Sequence, residues 1–75
     1  MKTFVIRIAK GAQATAEIVG NAIRNQATDP SLKQGLEDLE NEYNQGYLTK
    51  ESYNFWTLVT AMKRYPDLKV EEGPY

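Results

Sequence analysis

The stretch KTFVIRIA at residues 2–9 constrains the fold more than any other part of the chain. Phe4, Ile6 and Ile8 fall on one side, and Thr3, Val5, Arg7 and Ala9 on the other, before Gly11 breaks the pattern. Alternation of this kind, with β-branched residues, predicts a strand with one strongly apolar face. A strand cannot stand alone, because its backbone N–H and C=O groups need partners. Two mates are available. One is Leu68–Val70, able to form a short closing strand in the same chain; the other is the same strand in a second copy.

Between these ends the chain reads at helical period. Residues 13–26 place Thr15, Ile18, Val19, Ala22 and Ile23 on one stripe, with Glu17, Asn21 and Arg24 opposite. Gly20 costs that helix about 1 kcal/mol relative to alanine, which marks it as a place of close helix approach. A second helix starts at ATDPSLK, where Asp29 caps the free N–H groups and Pro30 takes the first helical position. Leu32, Leu36, Leu39 and Tyr43 then form a narrow apolar stripe, and Glu37, Asp38, Glu40, Asn41 and Glu42 fill the rest. Gly46 turns the chain out of this helix, and Thr49 caps a third one that runs to about Tyr65 and is stopped by Pro66. Leu48 before that cap and Tyr53 after it have the spacing of a hydrophobic staple. The expected architecture is a single small α+β domain over residues 1–75, mainly α: one N-terminal strand, three helices and the short closing strand.

The segment Asp29–Trp56, DPSLKQGLEDLENEYNQGYLTKESYNFW, resembles the short helical hairpin called the SHOCT domain. That family spaces apolar residues three and four apart, followed by a glycine, an Ile or Leu, a Thr or Ser, and an aromatic four residues on. Leu36, Leu39, Tyr43, Gly46, Leu48, Thr49 and Tyr53 stand at those places, while Thr57 replaces a common lysine. The resemblance implies a bacterial or phage hairpin that mediates oligomerisation.

Chemistry is narrowed mostly by exclusion. With no His and no Cys, the common general bases, nucleophile pairs and transition-metal ligands are missing, and no metal or other cofactor is expected. The carboxylates at Glu37 and Asp38 lie on a solvated helix face, where nothing tunes their protonation. GAQATAEIVG lacks the glycine spacing and the lysine of a phosphate loop. The reading is that the chain is not an enzyme. Its missing cysteines suit a reducing cytoplasm, and no apolar run nears the roughly 20 residues of a membrane span, so a cytoplasmic protein is expected.

Two binding surfaces are candidates. In the third helix Phe55, Leu58, Val59 and Met62 gather on a face expected to be core, while Tyr53, Trp56, Thr60 and Lys63 edge onto the other side. Trp and Tyr dominate protein interface hot spots, so this second stripe is the expected partner-binding surface. Its partner would be a second copy of the chain or a larger protein, as suits a phage or bacterial accessory or inhibitor protein. The alternative starts from the order strand, helix, helix, which resembles ribbon-helix-helix DNA-binding proteins. In that family, strands of two chains pair and enter the major groove. Lys2, Thr3 and Arg7 would then contact DNA. Residues 1–33 do carry five basic side chains against two acidic, whereas residues 34–75 carry four against eight. Against DNA stand the acidic second helix, the interruption at Val5 and a pI of about 5.3.

Overall fold

The computed structural model describes residues 3–73. Five elements follow one another: strand β1 (Val5–Ile8), helices α1 (Ala16–Gln26), α2 (Pro30–Asn44) and α3 (Lys50–Arg64), and strand β2 (Lys69–Glu72). The fold is α+β and mainly α. The two strands pair in parallel, Val5 opposite Lys69 and Ile8 opposite Glu72, so the three helices form the crossover between them. β1 thus takes its mate from its own chain. Lys69 N–H donates to Phe4 O and Gly73 N–H to Ile8 O on that side.

The other edge of β1 is also occupied. The Arg7 N–H donates to Gln26 Oε1 at 2.9 Å, and Gln26 Nε2 donates to Arg7 O at 2.8 Å. One side-chain amide at the end of α1 imitates a neighbouring strand and satisfies both backbone groups of Arg7. Such cover is one way a short strand avoids pairing with another chain. A ribbon of two N-terminal strands needs an open edge on β1; here β2 takes one edge and Gln26 covers Arg7 on the other.

Caps define the helices. Thr15 accepts from the Ile18 N–H, so α1 begins after it: the helix is shorter than the stretch 13–26, and Thr15 is its cap rather than part of its apolar stripe. Asp29 accepts from Ser31 N–H with Pro30 in the first turn, and Thr49 accepts from Ser52 N–H. Between α2 and α3, Gly46 adopts φ +85, the left-handed region glycine enters without strain. The Tyr47 N–H reaches back to Glu42 O and the Gly46 N–H to Tyr43 O. These paired bonds satisfy carbonyls that the end of α2 would leave free.

The apolar core is small. Ile6 and Ile8 of β1 meet Val19, Ala22 and Ile23 of α1, Ala27 at its C-cap, Leu32 and Leu36 of α2, and Ala61 of α3. Phe4, Leu58, Tyr65 and Leu68 close its margins, with the Phe4 and Tyr65 rings 5.3 Å apart. α3 therefore gives this core one alanine and little else.

Candidate functional site: the outward face of the third helix

At about 100° per residue, the side chains of α3 divide into two arcs. One arc holds Tyr53, Asn54, Thr57 and Ala61, and all are buried. The opposite arc holds Phe55, Trp56, Val59 and Met62. Phe55 is 57% exposed, Met62 53% and Trp56 44%, while Val59 is half-buried in their midst. The Phe55 and Trp56 rings meet edge to face, 5.6 Å apart, and form one aromatic ridge. This corrects the expectation that Phe55, Val59 and Met62 are core; only Leu58 of that group packs against the core margin. α3 has its polar side in and its apolar side out.

The cause lies in α1. Arg24 lies against α3 and donates to Thr57 Oγ1 at 2.9 Å and to Asn54 Oδ1 at 3.0 Å. Its guanidinium also sits 4.4 Å over the Tyr53 ring, which in turn stacks on Tyr43 of α2 at 4.5 Å. Thr57 completes the layer by donating to Tyr53 O at 2.8 Å. Burying Asn54 and Thr57 costs little once these bonds are made, and no buried side-chain N or O among the described residues is left without a partner. Close approach makes the layer feasible. A Cβ on Gly20 would stand 3.0 Å from Asn54 Oδ1, and one on Gly35 would stand 3.2 Å from Thr60 Cγ2. The glycines let α1 and α2 grip α3 by its polar side.

The ionisable groups respond to these contacts. Burial pushes the Tyr53 hydroxyl above its ordinary pKa, against a smaller opposing pull from Arg24. The Lys50 ammonium, 3.1 Å from Glu17 of α1, is raised chiefly by that carboxylate. At the far end Arg64 and the Tyr65 hydroxyl both donate to Asp29 Oδ2, at 3.2 and 3.0 Å. The Tyr65 bond above all, helped by the Ser31 amide and Arg64, holds the Asp29 carboxyl below its usual value in spite of partial desolvation. The same bond raises Tyr65. Lys63 and Glu51, on the outward side, form no ion pair among the described residues.

Of the partner-binding stripe read from the sequence, the structure separates the members. Trp56 and Lys63 are exposed on the outward arc. Tyr53, at 8% exposure, lies beneath Arg24 and Tyr43 and cannot meet a partner. Thr60 is half-buried against Gly35 of α2. Phe55, Val59 and Met62 take their places. Of the candidate DNA contacts, Lys2 lies outside the described residues, while Thr3 and Arg7 are exposed. Arg7 shares the outer face of the sheet with Glu71 directly opposite it, so no uniformly basic row forms there.

Other surfaces offer less. An open depression of about 210 Å³ is lined by Arg24, Lys33, Leu36, Glu37 and Glu40, with both charge signs on its walls. Among the described residues no group of acidic side chains is arranged to hold a metal ion, and no helix is long and apolar enough to cross a membrane. Comparison with family models, with curated proteins and with solved structures found no match to this chain.

Proposed function

We propose that this chain is a non-enzymatic association module whose outward α3 face docks against another polypeptide. The observation that carries the reading is the contiguous run Phe55, Trp56, Val59 and Met62 on the side of α3 turned away from the fold. Scattered apolar side chains on a surface are ordinary, but a connected patch on one helix face is the mark of an interaction site. Trp56 is the anchor. Truncating one such residue at the centre of an interface commonly costs about 2 kcal/mol or more of binding energy. The helix behind this face is bonded to α1 through Arg24, and its ends carry the ion pairs Lys50–Glu17 and Arg64–Asp29. A preorganised face loses little conformational freedom on docking, which favours affinity. The SHOCT-like spacing of the α2–α3 hairpin agrees with a role in association.

The test is site-specific photo-crosslinking in cells that express the chain. A photoreactive residue at Val59 should yield protein adducts that the same residue at Glu37, on the exposed face of α2, does not. Equal yields at the two positions would refute the reading.

A further inference from the structure

We infer that the occupant of the outward α3 face is a second copy of this chain, packed antiparallel about a two-fold axis at Val59. The inference rests on the reading of that face as an association surface and adds the identity and geometry of what covers it. The pattern around Val59 carries it. Phe55 is four residues before Val59 and Met62 three residues after it, and these two share one flank of the stripe. Trp56 is three before and Lys63 four after, and these share the other flank. Each flank therefore has a flat aromatic in its N-terminal half and a slender, flexible side chain in its C-terminal half. A two-fold axis perpendicular to two antiparallel helices keeps each flank on its own side and exchanges the halves. Phe55 of one copy then meets Met62 of the other, and Trp56 meets Lys63.

Both pairings are chemically favourable. A thioether against an aromatic edge and an ammonium over an indole face are attractive contacts, the second stronger when water is excluded. Lys63 is the cation free to make it. Lys50 and Arg64 of the same helix are tied to Glu17 and Asp29, whereas Lys63 has no carboxylate partner among the described residues. Antiparallel helices also set opposite dipole ends beside each other. A parallel two-fold would instead exchange the flanks at constant height, setting Trp56 against Phe55 and Lys63 against Met62, so the ammonium would lose its indole partner. A net charge of −1 leaves little overall repulsion between copies.

The sequence contains no cysteine, so a single introduced thiol reports geometry without ambiguity. At an interaxial distance of about 8–10 Å, the two Val59 Cα atoms would lie roughly 5 Å apart, within disulfide reach. Two Phe55 positions would be offset by about 12 Å along the axis, beyond it. Under mild oxidation Val59→Cys should form a linked dimer, Phe55→Cys and Met62→Cys should each stay unlinked, and an equal mixture of those two should link. Separately, Val59→Lys should weaken self-association at least about tenfold by light scattering while helical content and thermal midpoint hold. Self-linking of Phe55→Cys would mean a parallel or shifted contact and overturn the antiparallel geometry. A dimer indifferent to Val59→Lys would place the contact elsewhere on the chain and overturn the inference. A wild-type chain that stays monomeric overturns the second copy as occupant, and Val59 crosslinks to a different protein would still support the association surface.

Discussion

Arg24 is the residue on which the orientation of α3 depends, and Arg24→Met is the perturbation that reveals it. Methionine keeps the length and much of the apolar stem but removes every donor. Asn54 Oδ1, buried on α3, loses its bond from Arg24, and Thr57 Oγ1 loses an incoming donor while keeping its own bond to Tyr53 O. One buried carbonyl left unpaired costs about 1–3 kcal/mol. Loss of the guanidinium over the Tyr53 ring adds about 1 kcal/mol, since Arg24 is only half-buried. The total, about 2–4 kcal/mol, is a large part of what a domain of this size has. At roughly 4–8 °C per kcal/mol it corresponds to a fall of about 8–32 °C in thermal midpoint. Urea or thermal unfolding followed by circular dichroism measures it. Adding Asn54→Leu to Arg24→Met should recover part of the loss, because removing both partners leaves nothing unsatisfied. If Arg24→Met shifts stability by less than about 0.5 kcal/mol, the range of an ordinary surface substitution, the polar layer does not hold α3 as described.

Two further predictions test neighbouring features. Gly20→Ala would ordinarily gain about 1 kcal/mol of helix propensity. The new methyl meets Asn54 Oδ1 at 3.0 Å, and Asn54 is pinned by Arg24, so the gain should vanish or reverse in wild type and reappear in an Asn54→Ala background. Asp29 makes a pH prediction. Its carboxyl is held below the ordinary value in the folded chain, so its contribution is complete above the unfolded pKa near 3.9 and is lost as pH falls through the folded value. Asp29→Asn should flatten that acid limb of the stability profile, while an unchanged limb would show that the Tyr65 and Arg64 bonds contribute nothing.

The parts of this fold visible in the sequence are those governed by neighbours along the chain. Asp29–Pro30, Gly46 and Thr49 act within one turn of themselves, and the α2–α3 hairpin stands where they put it. The alternation of Ile6 and Ile8 likewise announced β1 and its buried face. β2 was harder to see, since Lys69–Glu72 is exposed throughout and owes its strand form to β1 alone. The face that α3 buries was misread because both of its sides carry large apolar residues. The choice between them is made by Arg24, whose partners Asn54 and Thr57 lie 30 and 33 residues away. A local signal did exist. Asn54, Thr57 and Ala61 share a face with Tyr53, and Gly20 advertises a close approach that bulky side chains on that face would forbid. Trp56 is exposed, but the rest of the expected stripe does not surround it: Tyr53 belongs to the layer behind it, and Phe55, Val59 and Met62 stand beside it.

Trp56 is the chain's one tryptophan, so its emission reports the outward face directly. Fluorescence and light scattering on the same dilution series measure burial and mass together. The account predicts that mass doubles with concentration while the Trp56 emission shifts to the blue and becomes resistant to acrylamide, with a shared midpoint. A mass that doubles while Trp56 stays as open to water as before would contradict it, because the association would then leave the outward face of α3 uncovered.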